Sequence, residues 1–242
     1  MRLTEPIGRI ALVGAMQEEL AAVLACMPDA HCETVAGRQF WVGHFEGHDV
    51  VAVLSGIGKV AAALTATLLI DKFQVRSMLF TGVAGGLSPA VKVGDVVVAS
   101  DLLQHDMDAS PLFPKYEVPL SGLGKFQTDQ GMTALLAACA QNALPAVKVH
   151  TGLVISGDQF VSSAADSQRL QAALPEAMAV EMEGAALAQV CRDFGVPLAV
   201  VRTISDRADD EAHTDFLKFV KEVASQYSVA MVSAFLKQIA KL

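Results

Sequence analysis

The sequence predicts an α/β fold, a mostly parallel sheet covered by helices on both faces, and three observations carry the prediction. Short β-branched runs alternate with longer alanine- and leucine-rich segments, the rhythm of strand–helix–strand units. Runs such as "RIALVGA" are apolar almost throughout, as strands buried inside such a sheet are. The 242 residues, 52% hydrophobic and 18% charged, suffice to bury a sizeable core, and residues 1–242 are expected to form a single domain.

The elements follow in order. "RIALVGA" (9–15) reads as the first strand, and "QEELAAVLACM" (17–27), with leucine and valine at helical spacing, as the helix after it. "FWVGHFEGHDVVAVLSG" (40–56) reads as two strands meeting at a turn near Gly47, and "KVAAALTATLLIDKF" (59–73) as a helix. "SMLFTGVAGG" (77–86) is a strand running into a glycine-rich turn. Residues 106–127 hold Pro111, Pro114, Pro119, Gly122 and Gly124 with little periodicity, so a long irregular loop is expected, of the kind that serves as a lid or interface. Beyond it come a helix (129–141), a strand (147–158), a helix (164–174), the strand "AMAVEM" (177–182) and a helix (183–195). "VPLAVVRTISD" (196–206) is a strand ending in polar residues, and residues 214–240 form a closing helix.

Composition narrows the partner. The 26 acidic and 18 basic residues leave a formal charge of -8 with no basic run, which argues against nucleic acid and anionic membrane and for a small molecule. Cys26, Cys32, Cys139 and Cys191 show neither CxxC pairing nor matching histidines, so they read as core thiols of a reduced, cytoplasmic compartment. No apolar stretch reaches the roughly 18 residues of a membrane span.

Gly56-Ile57-Gly58-Lys59-Val60-Ala61 satisfies the GxGxxA dinucleotide fingerprint, but the next strand ends in threonine and glycine where an acid should hold a ribose hydroxyl. A tight strand-to-helix turn is the stronger reading. Gly82, Gly85 and Gly86 would let backbone approach a ligand at a strand's carboxyl end, where open α/β sheets place their sites. Other strand ends also carry reactive groups: Glu19 after "VGAM", Glu181 and Glu183 in "AVEME", and Arg202, Ser205 and Asp206 in "VVRTISD". Two carboxylates one residue apart among alanine, valine and methionine must be hydrogen-bonded, protonated or used on a ligand. His105, Asp106 and Asp108 in "HDMD" lack the further ligands of a metal site and read as a loop entry.

Taken together, "GAMQEEL", "SGIGKVAAA", "TGVAGGL", "VKVGDVVV", "SGDQFV", "VEMEGAALA" and "RTISD" resemble, in order and across nearly the whole chain, the 5′-methylthioadenosine/S-adenosylhomocysteine nucleosidases of the nucleoside phosphorylase superfamily. The resemblance implies a three-layer α/β/α sandwich with a mixed central sheet, a homodimer, and hydrolysis that releases adenine from a thioribosyl nucleoside without cofactor or metal. It makes Glu19 the residue that deprotonates the attacking water and Asp206, oriented by Ser205, the acid that protonates purine nitrogen seven. Glu183 would accept hydrogen bonds from the ribose hydroxyls and Met182 would pack on the sugar, with Glu181 either structural or a second ribose contact. Phe160 would stack on adenine while the Val161 backbone reads its edge. Met16, Ile57 and Phe216 would line the sugar and alkylthio pockets, Arg202 would steady the acids, and Leu112, Phe113 or Pro119 would cover the neighbouring subunit's site. Val83 stands where relatives often have serine or threonine.

Departure of a purine leaves positive charge on the sugar and negative charge on the base, so a protonated acid beside the base and an anion facing the sugar both lower the barrier. The runner-up is phosphorolysis. Phosphorylases of the superfamily typically place an arginine two residues before the glycine that is Gly82 here, and that position is Phe80. A third reading, a nucleoside sensor on the same scaffold, has to account for Glu19, Glu183 and Asp206 occurring together.

Overall fold

The computed structural model describes residues 8–209 and 223–239. The chain runs β1 (Ile10–Gly14), α1 (Gln17–Leu24), β2 (His31–Val35), β3 (Arg38–Phe45), β4 (His48–Leu54), α2 (Lys59–Asp71), β5 (Ser77–Gly86) and β6 (Val96–Gln104). It continues β7 (Lys125–Gln127), α3 (Gln130–Ala143), β8 (Val149–Ser156), α4 (Ala164–Ala173), β9 (Ala177–Glu181), α5 (Gly184–Phe194), β10 (Leu198–Asp206) and α6 (Ser225–Ile239).

The sheet is mixed, with helices on both sides. β4, β1, β5 and β10 are successive parallel neighbours, while β2 and β3 extend the sheet antiparallel beyond β4. β10 then pairs antiparallel with β6, β6 pairs parallel with β8, and β8 with β9. β9 returns to β5 through Gly85↔Val180 and Gly86↔Ala179, so β5, β10, β6, β8 and β9 close into a ring. That closure is a departure from the open sheet of the sequence reading.

Two cores flank the sheet. On one side α2 and α5 meet through Ala62, Ala66, Ala185, Ala186 and Ala188, small residues that bring the helices close above Phe80 and Val200. On the other, α1, α3 and α6 bring Leu20, Val23, Leu136, Met231 and Phe235 onto Leu12, Leu79 and Val201. The turn near Gly47 is as expected, with Glu46 and Gly47 both at positive φ between β3 and β4. β2, "HCETV", lacks an apolar run, being a largely solvent-facing edge strand, and it was not anticipated. The expected loop at 106–127 is irregular until β7, whose three residues pair with β6. The first part of the closing helix lies outside the described residues.

Candidate active site

A cavity of about 390 Å³ opens at the carboxyl ends of β1, β5, β9 and β10, bounded by the glycine loop before α2 and the loop after β8. Met16, Ile57, Val83, Phe160, Val161, Glu181, Met182, Glu183, Ser205 and Asp206 line it. Gly85, one of the three glycines expected to approach a ligand, lines it too, and so do Ala15, Ala84, Gln159 and Val180, which were not anticipated. Most of the wall is apolar, so the carboxylates meet a bound molecule in a weakly screened setting.

Asp206 arrives on a bulge. The β10–β5 register slips between Ile204 and Asp206, which re-aims the last residues of the strand. The Ser205 hydroxyl donates to Asp206 Oδ2 at 2.7 Å and the Ala208 amide to Oδ1 at 2.8 Å. The glycines of "TGVAGG" serve this arrangement. β5 continues straight through them, and a Cβ at Gly85 would stand 3.0 Å from Asp206 Oδ1 while one at Gly82 would stand 3.1 Å from Arg202 Nη1. The expected glycine-rich turn is therefore strand that admits two side chains of its neighbour, with Gly85 also facing the cavity.

The two glutamates of "VEME" have different fates. Both oxygens of Glu181 are committed to protein: Oε1 accepts from the Ser156 hydroxyl and the Gly184 amide, and Oε2 from the amides of Glu183 and Gly184 and from Arg202 Nη2 at 2.8 Å. It neutralises the amino end of α5, where free N–H groups and the helix dipole favour an anion. Of the two roles open to Glu181, this geometry favours the structural one over a ribose contact. Arg202 lies beneath the cavity rather than on its wall, fully buried, with its guanidinium 3.8 Å from the centre of the Phe80 ring.

Glu183, by contrast, has its Oε1 held by the Gly58 amide at 2.9 Å and faces the cavity. Gly58 sits at φ +85, and a Cβ there would meet Asp158 Oδ1 at 2.9 Å, so glycine is required for this contact. Burial, then the Glu181 charge, raise Glu183 from the ordinary 4.5 to about 7, while the Gly58 amide and Arg202 oppose the rise.

Glu19 is buried in the first turn of α1 and lies just behind the cavity wall. Its Oε2 accepts from the amide of Met16, which lines the cavity, at 3.1 Å, and its Oε1 from the Ser228 hydroxyl at 3.0 Å. Burial raises its pKa, opposed first by the Ser228 bond and then by Arg202. Arg202 thus acts on three acids at once, paired with Glu181 and lowering Glu19 and Glu183.

The phosphorylase superfamily model matches residues 9–237. A 5′-methylthioadenosine/S-adenosylhomocysteine nucleosidase of Marinomonas sp. is 40% identical over 94% of this chain and 98% of its own. This chain belongs to that nucleosidase family. Among solved members, the Colwellia psychrerythraea nucleosidase in complex with adenine superposes with TM-score 0.91 at 36% identity, covering 96% of each chain. A futalosine hydrolase of Helicobacter pylori, 35% identical over 96% of this chain and 98% of its own, superposes with TM-score 0.89.

Of the expected site residues that are described, Glu19 and Arg202 lie behind the cavity wall and three residues of the 106–127 loop do not line it. Leu112 is exposed and Phe113 and Pro119 half-buried on the 106–127 loop, away from this chain's own cavity, and Phe216 lies outside the described residues. The acids of "HDMD" are engaged in loop structure: Asp106 takes Lys59 Nζ at 2.7 Å and Asp108 the Ser110 amide at 3.0 Å. Sequence reasoning passed over the clamp at the cavity mouth, in which Asp158 Oδ1 accepts the Lys59 amide at 2.7 Å and Asp106 Oδ2 accepts the Asp158 amide at 2.9 Å. The "GD" of "SGDQFV" was its one visible sign. Among the described residues no helix is long and apolar enough to cross a membrane.

Proposed function

We propose that this chain is a single-domain, cytoplasmic N-glycosyl hydrolase that cleaves 5′-methylthioadenosine and S-adenosylhomocysteine, and 5′-deoxyadenosine with them, to adenine and the free sugar. What supports the reading is that Glu183 and Asp206 line one largely apolar cavity together with Phe160, and that Glu19 lies behind its wall, joined to the lining residue Met16 by a hydrogen bond. Glu183 Oε2, the oxygen not held by Gly58, accepts from the ribose hydroxyls while Met182 packs on the sugar. Phe160 stacks on adenine, the Val161 backbone reads its edge, and Met16, Ile57 and Val83 supply the apolar wall for sugar and thio group. Asp206 gives its proton to purine nitrogen seven as the bond from C1′ to the base breaks. Glu19 takes a proton from the water that bonds to C1′, and the two acids return to their starting states by exchange with solvent.

Hydrolysis is favoured over phosphorolysis by what surrounds the nucleophile. Among the described residues lining the cavity none is lysine or arginine, and Phe80 is buried in the core as the platform for Arg202, whose charge is committed to Glu181. Adenine release measured with and without phosphate tests this: rates independent of phosphate are expected, and strict dependence overturns it. The likeness to futalosine hydrolase makes aminofutalosine the substrate to compare with the three above, by specificity constants. We further propose a homodimer in which Leu112, Phe113 or Pro119 covers the partner's site. Supporting it, Ile57 in the loop before α2 and Val60 and Leu64 on α2 are exposed, with exposed Leu112 and Leu120 on the 106–127 loop. Sedimentation should give twice the 25.5 kDa chain mass, and Val60→Asp should halve it.

A further inference from the structure

We propose that Ser228 and Thr81 are positioning residues for the water-activating acid, a two-hydroxyl chain that runs from β5 through the C-terminal helix α6 onto one oxygen of Glu19. The inference rests on the reading of Glu19 as the base. Ser228 Oγ donates to Glu19 Oε1 at 3.0 Å and stands 2.9 Å from Thr81 Oγ1, and all three side chains are buried. Because Ser228 has one proton and gives it to Glu19, Thr81 must be the donor between the two hydroxyls. The chain is therefore directional: each donor polarises the next toward the carboxylate.

The surroundings make the hydroxyls informative. Leu12, Val13, Leu20, Val23 and Val232 enclose the group, and alanine and valine would fill the places of Ser228 and Thr81 without burying polar atoms. With Met16 holding Oε2 and Ser228 holding Oε1, the carboxylate is fixed from two sides, by the loop before α1 and by a helix more than two hundred residues later. Among the described residues, the charged group acting on Glu19 is the Arg202 guanidinium of β10, and the amides of Met16 and Ala15 and the Ser228 hydroxyl are its polar neighbours. Donors on both oxygens stabilise the ionised form in a place where burial opposes it. A base must be ionised to act, so the hydroxyl chain keeps Glu19 usable at lower pH.

The test compares Ser228→Ala, Thr81→Val and Thr81→Ser, each with its thermal unfolding curve and full pH profile. Ser228→Ala should lower kcat by about tenfold with KM little changed, and should move the acid limb of kcat/KM up by about one pH unit. Thr81→Val, nearly isosteric, should shift the limb less and in the same direction, and Thr81→Ser should restore it. If Ser228→Ala does not fold, the Thr81 pair decides the question alone. In a Glu19→Gln background Ser228→Ala should have no further effect on kcat. An unmoved acid limb in a folded variant, or Thr81→Ser as impaired as Thr81→Val, overturns the relay while leaving the hydrolase reading intact. Near-normal turnover by Glu19→Gln alone would instead remove the reading on which it rests.

Discussion

Arg202 offers the sharpest perturbation, because its ion pair with Glu181 is buried from water, with side-chain exposures of 0% and 3% and a separation of 2.8 Å. Arg202→Met keeps most of the volume and removes the charge. Breaking a buried pair from one side costs about 3–5 kcal/mol, since the surviving charge stays desolvated. Glu181 would keep three other donors, the Ser156 hydroxyl and the amides of Glu183 and Gly184, which puts Arg202→Met near the lower end. Glu181→Gln should cost more. It strands a guanidinium whose remaining contacts are the Val201 carbonyl at 3.1 Å and the Phe80 ring, with Nε already lacking a partner among the described residues. For a domain of this size ~2–4 °C is lost per kcal/mol, so the single variants should unfold roughly 6–20 °C early. The double variant should recover ~2–3 kcal/mol relative to the sum of the two, because it leaves no unpaired charge. Urea and thermal unfolding of the wild type, both singles and the double complete the cycle. Strict additivity, within about 0.5 kcal/mol, would refute the reasoning that this pair is coupled.

Glu183 should make stability pH-dependent. With its pKa at about 7 in the fold and 4.5 ordinarily, the folded form keeps a proton that the unfolded chain releases in that window, so its contribution falls as pH rises from 4.5 to 7. Glu183→Gln should therefore gain up to ~3 kcal/mol over wild type at pH 8 and little below pH 4.5; an equal gap in urea midpoints at both pH values contradicts this. Glu19→Gln and Asp206→Asn should each lower turnover by at least about a hundredfold, and near-normal adenine release by either would reopen the sensor reading. Gly58→Ala forces a side chain into φ +85 and against Asp158, so it should cost ~1–3 kcal/mol and raise KM through the lost Glu183 contact; unchanged KM in a folded variant counts against that contact.

The strand ends were legible because apolar runs such as "LAVVRTISD" stop abruptly in polar residues at the carboxyl end of the strand, where open α/β sheets place their sites. That rule alone brought Glu183, Ser205 and Asp206 to one place. The pattern could not separate Glu181 from Glu183, since their difference comes from which helix end each one meets, α5 for Glu181 and α2 for Glu183. Closure of the ring rests on the short pairing of Gly85 and Gly86 with β9, too brief to leave a period in the chain. Ser228 is one serine in an amphipathic helix, and nothing nearby in sequence marks it as the partner of a residue in α1. β2 escaped because an edge strand with "HCETV" buries little.

The ring of five strands has a consequence for how the molecule breathes. A strand in a closed circuit can detach only if ladders on both its flanks open together, whereas the β2–β3 hairpin at the far end can fray one rung at a time. Transient opening is thereby channelled to the hairpin. β5, β9 and β10 hold their relative heights through such excursions, and with them the spacing between Asp206 and Glu183 across the cavity.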